Sequence, residues 1–178
     1  METPNGLKEI EKLFGNPAKS DGRLNEAWES ANIRIVAPPK GWQLYYQADH
    51  RIVKVSGIRM HRLLRDSFLA VLEEIENYAR QKLGASATDE EIFAWLHKER
   101  LDLHGGGFNF RKKVGSSGLS LHSYGIAIDW DPDHNPRKKP LSGTLPDWWY
   151  DIWQSHGWVD GRNFPIPDPM HVQFARGA

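Results

Sequence analysis

The chain contains no cysteine among its 178 residues. This absence excludes a disulfide framework and thiolate chemistry, and it removes the ligand that often closes structural zinc sites. A protein without cysteine folds in reducing and oxidising surroundings alike, so composition does not indicate a compartment.

Long apolar runs and an excess of charge of one sign are also missing. Nowhere do roughly 18 apolar residues follow one another, and no basic stretch with an apolar run opens the chain. We therefore expect neither a membrane span nor a signal peptide. Lys plus Arg and Asp plus Glu both number 23, so no overall field favours nucleic acid as a partner. The sequence indicates no oligomeric state.

The length fits one domain with its own core, and the eight tryptophans are expected mainly inside it. The first half predicts an N-terminal helix, three strands joined in a small antiparallel sheet, and a long amphipathic helix. Residues 1–30 form an N-terminal helix and polar segment. The predicted elements are helix 6–14, strands 33–36, 43–47 and 52–55, and helix 58–83.

The second half combines helices and strands in the same way. Thr88 and Glu91 have the spacing of a capping box, which predicts a helix to about residue 101. We also predict an exposed and mobile loop over 131–144 and a helix from Pro146 to Trp153. The remaining strands are expected at 108–110, 124–130 and 170–174. Together these elements predict an α+β fold, with residues 1–178 as one compact domain and a mainly antiparallel sheet flanked by helices.

Two short segments carry the chemistry, and both lie in the half of the chain over residues 105–174. Residues 120–129 contain His122 and Asp129, and residues 168–171 contain Asp168 and His171. Two imidazoles and a carboxylate would leave one position for water, which is the arrangement of a catalytic zinc site. Asp168 is then a spare carboxylate close to the metal.

His122 and Asp129 are separated by seven positions, and residues at an odd separation on one strand face opposite sides of a sheet. A bend between them must redirect one side chain. Gly125 is the residue that permits this bend.

The pattern Ser120-x-His122-x-x-Gly125-x-Ala127-x-Asp129, followed by Asp168-x-x-His171, resembles the VanY-like D-alanyl-D-alanine carboxypeptidases and the related L-alanyl-D-glutamate peptidases. The resemblance implies that His122, Asp129 and His171 bind one Zn²⁺ and that Asp168 is the catalytic base. It also implies the compact fold shared with the hedgehog signalling domain, and a peptidoglycan peptide as substrate.

Three further residues are candidates for the site. Arg111 resembles the arginine that precedes the zinc histidine in this family, and its guanidinium could hold an oxyanion or a terminal carboxylate. Ser120 could orient a ligand or its backbone. His156 could line the site or interact with the C-terminus of its helix.

The sequence therefore predicts a zinc peptidase that cuts a stem peptide of peptidoglycan, either as a carboxypeptidase or as an endopeptidase. Such a protein would reach the wall through lysis, phage delivery or another export route. The alternative is a non-catalytic cell-wall or protein-binding module that keeps the zinc fold. A calcium ion in the acidic loop over 129–135 stays open, although this loop lacks the glycine and glutamate that an EF-hand requires.

Overall fold

The N-terminal part of the chain forms two short helices and a separate pair of strands. A computed structural model describes residues 1–177. Helix α1 spans Leu7–Phe14 and α2 spans Glu26–Asn32. Strand β1, Ile33–Val36, pairs antiparallel with β4, Ile58–His61, as a two-stranded sheet of its own. The prediction that β1 joins the next two strands in one sheet is therefore wrong.

A six-stranded sheet forms the centre of the fold. Its order is β3-β2-β5-β6-β8-β7, and all neighbours are antiparallel except β2 and β5, which are parallel. The predicted α+β class and the mainly antiparallel sheet are confirmed. The strands are β2 (Leu44–Ala48), β3 (Arg51–Val55), β5 (Leu103–Gly106), β6 (Ala127–Trp130), β7 (Val159–Gly161) and β8 (Asp168–Gln173).

The long helix begins later than the sequence predicts. Helix α3 spans Arg65–Leu83, and the residues before it form β4 and a 3-10 turn. Ile58 and Met60 are buried while Arg59 between them is exposed, which is the two-residue period of a strand. Within the described residues, none of the helices has both the length and the apolar character needed to cross a bilayer.

Two other helices agree closely with the prediction. Helix α4 spans Asp89–Lys98 and begins with the expected capping box, in which Thr88 and Glu91 satisfy each other's backbone amides. Helix α5 spans Asp147–Ser155. Most of the tryptophans pack in the core as expected, and Trp149 and Trp153 of α5 contact Trp130 of β6 with ring centroids 6.0 and 5.7 Å apart.

In the glycine run over 105–107, Gly105 and Gly106 lie in strand β5, which ends before Gly107, and residues 108–110 do not form the predicted strand. After β5 the chain turns towards β4, and the Phe108 amide donates to the Arg59 carbonyl at 2.6 Å. A Cβ on Gly107 would lie 2.3 Å from that same carbonyl oxygen. Only glycine permits this close approach, which brings the chain next to the segment that holds His122.

A left-handed glycine ends the 3-10 helix Leu121–Tyr124 and redirects the chain into β6. Gly125 has φ 68° and ψ 26°, and its carbonyl accepts a hydrogen bond from the His61 amide at 2.8 Å. A Cβ at this position would lie 2.7 Å from Ile33 Cδ1 and 2.8 Å from the His61 nitrogen. The bend expected from the spacing of His122 and Asp129 is therefore present, and it packs directly against the two-stranded sheet.

We predict that Gly125→Ala destabilises the protein more than Gly22→Ala does. Gly22 also has a positive φ, of 80°, but no atom lies within 4 Å of its hypothetical Cβ. Backbone strain should lower the free energy of unfolding of Gly22→Ala by about 1 kcal/mol. In Gly125→Ala, steric overlap should lower it by a further ~1–3 kcal/mol. Chemical denaturation measures both free energies of unfolding. Equal losses would show that the packing around Gly125 does not restrict the position.

Candidate metal centre

His122 is fixed by the short 3-10 helix and by the glycine segment beside it. The Ser120 hydroxyl accepts a hydrogen bond from the His122 amide at 3.3 Å and begins the helix. The buried ring of His122 places Nδ1 2.7 Å from the Gly107 carbonyl oxygen. Because a carbonyl can only accept, Nδ1 carries the proton and Nε2 keeps a free lone pair.

Asp129 and His171 lie directly opposite each other on the neighbouring strands β6 and β8. Side chains at such paired positions share one face of the sheet. The Asp129 carboxylate places Oδ1 2.9 Å from Nδ1 of His171. The pairing of the two strands therefore brings together residues that are far apart in the sequence.

Gln173 orients the His171 ring. It lies two positions after His171 on β8, and its Oε1 is 3.1 Å from Nε2 of the imidazole. The Gln173 amide nitrogen donates to the Ala175 carbonyl at 2.9 Å, so the amide oxygen points towards His171. His171 thus donates from Nε2 and presents Nδ1 towards Asp129.

Three ligand atoms meet at one point as a result. The candidate donors of His122, Asp129 and His171 all lie within 4.8 Å of one another. Nε2 of His122 is 3.3 Å from Asp129 Oδ2, yet it makes no hydrogen bond to any described residue. A lone pair facing a carboxylate oxygen is unfavourable unless a proton or a metal ion lies between them. The donor set of two imidazoles and one carboxylate fits zinc.

The charges of Asp129 and His171 influence each other strongly. Burial acts to raise the pKa of Asp129, but its contacts with the His122 and His171 imidazoles outweigh burial and hold this pKa well below its usual range. Burial acts to lower the pKa of His171, but the Asp129 carboxylate outweighs it and raises this pKa. Because a metal ion binds only deprotonated imidazole nitrogens and carboxylates, acid should oppose metal binding by these residues.

Asp168 lies at the start of β8 beside this cluster. Its Oδ1 is buried and has no hydrogen-bond partner among residues 1–177. Burial raises the pKa of Asp168, and the negative charge of Asp129 adds to the rise, against the opposing charges of His171 and Arg137. A carboxylate with a raised pKa and a free oxygen is suited to accepting a proton.

Two clefts meet at the centre. The larger, of about 510 Å³, is lined by Asp129, Asp168 and His171. The smaller, of about 300 Å³, is lined by the glycine run, His122 and Asp129. Arg111 lines both clefts and is exposed. Its backbone amide donates to the Ser123 hydroxyl at 2.9 Å, which ties this arginine to the helix that carries His122.

His156 does not join this group of residues. It follows α5, and its Nε2 lies 2.6 Å from Glu74 Oε2 on helix α3. Of its two proposed roles, lining the site is not supported by this position. The Ser120 hydroxyl, in contrast, contacts the backbone of His122, and its role in orienting a ligand stays a prediction.

The acidic residues of the loop over 129–135 contact protein groups. Both oxygens of buried Asp131 accept hydrogen bonds from Arg100, at 2.6 and 2.9 Å. The Asp133 carboxylate accepts a hydrogen bond from the side-chain amide of Gln47 at 3.0 Å. Among the described residues, the His122, Asp129 and His171 set is the group of side chains that could hold a metal ion.

Gln173 and Gly107, which support the candidate ligands, were not predicted from the sequence. The spacing could have indicated Gln173, since residues two apart on a strand point to the same side. No such signal exists for Gly107, because it acts through a backbone carbonyl and a packing contact with a distant strand.

We predict that Gln173→Ala lowers the zinc affinity by about 10–100-fold, because the His171 ring loses the partner that fixes its orientation. Gln173→Glu keeps an acceptor for Nε2 and should retain most of the affinity. Gln81, an exposed residue of α3, provides the control variant Gln81→Ala. Competition with a chromophoric chelator measures all four proteins. Unchanged affinity in Gln173→Ala would exclude this role.

The sequence model of the D-alanyl-D-alanine carboxypeptidase family matches residues 114–174. No curated protein and no solved structure gives a significant match to the chain. The matched segment includes His122, Asp129, Asp168 and His171, which confirms the resemblance inferred from the motifs. Over residues 114–174, the segment that holds the candidate metal ligands, the chain is thus similar to the D-alanyl-D-alanine carboxypeptidase family.

Proposed function

We propose that this protein is a zinc-dependent peptidase that hydrolyses a peptide bond in the stem peptides of peptidoglycan. The family match supports a peptidase, and therefore a hydrolase. The observation that carries the proposal is the placement of Asp168, with a free buried oxygen, in the same cleft as the Asp129 and His171 ligand pair. A module that only binds its target has no need of such a base.

The proposed metal ligands are His122 Nε2, His171 Nδ1 and a carboxylate oxygen of Asp129. Zinc, when bound, supplies a Lewis acid that activates water and polarises the scissile carbonyl. The carbonyl of Gly107 and the amide of Gln173 keep the two imidazoles in the tautomers that this binding requires. One ion per chain satisfies the set.

Asp168 performs the proton transfer in this proposal. Its carboxylate takes the proton of the attacking water and then gives it to the leaving amine. Arg111, at the junction of the two clefts, supplies positive charge where the oxyanion of the tetrahedral intermediate forms.

The same proposal includes the wider fold. We infer that residues 1–178 form one peptidase domain with the arrangement of the hedgehog signalling domain and the D-alanyl-D-alanine peptidases. The central sheet with its metal-binding face and the helices packed behind it support this inference. The bond that is cut is either the terminal D-Ala-D-Ala bond or the L-Ala-D-Glu bond within the stem.

We predict that Asp168→Asn retains zinc and loses hydrolysis by a factor of about 10²–10⁴, because the amide cannot accept the proton. Digestion of purified peptidoglycan, followed by mass spectrometry of the released termini, measures the activity with and without a chelator. The control variant Asp151→Asn changes an exposed carboxylate on α5 and should digest normally. Turnover that survives in Asp168→Asn would remove this residue from the mechanism. Tight zinc binding without digestion by the unmodified protein would favour a binding module.

A further inference from the structure

One cationic side chain outside the mechanism lies beside the catalytic base. Arg137, in the loop over 131–144, places Nε 3.8 Å from Asp168 Oδ2. It lines the larger cleft together with Asp168 and His171. Because its side chain is 41% exposed, the guanidinium is open to a ligand that enters the cleft.

The loop that carries Arg137 is held in place by buried hydrogen bonds. The Asn135 side chain is fully buried; its amide nitrogen donates to the Asp131 carbonyl at 3.0 Å, and its oxygen accepts from the Thr144 and Leu145 amides at 2.8 and 3.1 Å. The Lys138 amide donates to the Pro167 carbonyl at 3.0 Å. The backbone on both sides of Arg137 is thus attached to the core and to the segment before Asp168.

The contact with Asp168 leaves the hydrogen-bonding capacity of Arg137 unused. A separation of 3.8 Å is too long for a hydrogen bond, and the Arg137 guanidinium makes no hydrogen bond to the described residues. A planar fork of five N–H donors in this position matches a carboxylate, which it can bind with two parallel hydrogen bonds. The Arg137 guanidinium is therefore available to bind a carboxylate in the cleft, next to the proposed base.

The chemistry of the substrate indicates which carboxylate reaches Arg137. Asp168 gives its proton to the leaving amine, so the residue that carries this amine must lie beside Asp168. In a terminal D-Ala the free carboxylate is one carbon away from the amine. In a D-Glu that is linked onward through its side chain, the free α-carboxylate is likewise one carbon away. Both candidate bonds thus place an anion in the same relation to Asp168.

We propose that Arg137 determines specificity by binding the free α-carboxylate of the residue whose amine leaves. This inference rests on the proposed function. The two arginines then have different roles. Arg137 lines only the larger cleft and binds the carboxylate of the residue whose amine leaves. Arg111 lies at the junction of both clefts and stabilises the oxyanion. Of the two arginines, only Arg137 distinguishes a substrate that has this free carboxylate from one that lacks it.

Four synthetic stem pentapeptides test this division with the zinc-loaded protein. The parent is L-Ala-γ-D-Glu-L-Lys-D-Ala-D-Ala, and the others replace the terminal carboxylate, the D-Glu α-carboxylate, or both by carboxamides. The unmodified protein should prefer the peptide with the free carboxylate next to the bond it cuts by about 10–100-fold in kcat/KM, the range expected for charged hydrogen bonds. The identity of the sensitive carboxylate also reports which bond is cut.

Arg137→Gln should reduce this preference to within about threefold, mainly by slowing cleavage of the carboxylate peptide. Arg137→Lys keeps the charge without the fork and should give an intermediate preference. Lys138→Gln removes the same charge from the neighbouring exposed position and should retain the full preference. Arg111→Ala should slow the carboxylate and carboxamide peptides equally.

Binding provides a second readout that does not depend on turnover. Asp168→Asn, loaded with zinc, should bind the carboxylate peptide more tightly than its carboxamide in calorimetry, and the added change Arg137→Gln should abolish the difference. Equal cleavage of all four peptides by the unmodified protein, or a preference that persists in Arg137→Gln, would overturn the role of Arg137 and leave the peptidase proposal intact. Failure to cleave any of the four, together with intact peptidoglycan, would instead reject the peptidase proposal.

Discussion

The register between strands β6 and β8 is the constraint on which the centre depends. It sets Asp129 opposite His171, and a slip of one residue would turn His171 to the other face of the sheet. The core beneath the sheet fixes this register, because Ile128 and Val172 form the adjacent buried pair. Trp130, next to Asp129, packs in the same way against Trp149 and Trp153 of α5. Apolar packing on one face thus determines the position of the polar ligands on the other.

Each candidate ligand then depends on a group outside the ligand set. Gly107 and Gln173 assign the protons of the two imidazoles, and Gly125 turns the chain between His122 and Asp129. The loop that follows β6 is attached through the ion pair of buried Asp131 with Arg100 and through the Asn135 side chain. The centre is therefore built by the backbone of distant segments as much as by the ligand residues.

Local signals allowed much of this arrangement to be predicted. The capping box of α4 and the bend at Gly125 follow from residue types at short spacing, and the ligand set follows from two motifs. The predictions were wrong where contacts between distant segments determine the structure. Residues 58–61 continue a helical pattern in the sequence but pair with β1 instead. The parallel contact of β2 with β5 and the carbonyl of Gly107 depend on segments that meet only in the folded chain.

The central claim is the convergence of two imidazole nitrogens and one carboxylate oxygen on a single zinc ion. Crystals of the zinc-loaded protein, measured at the zinc absorption edge, test it most directly. We expect one anomalous peak, about 2.0–2.2 Å from His122 Nε2, His171 Nδ1 and an Asp129 oxygen. A peak bound by other residues, or no peak after loading with excess zinc, would contradict the account.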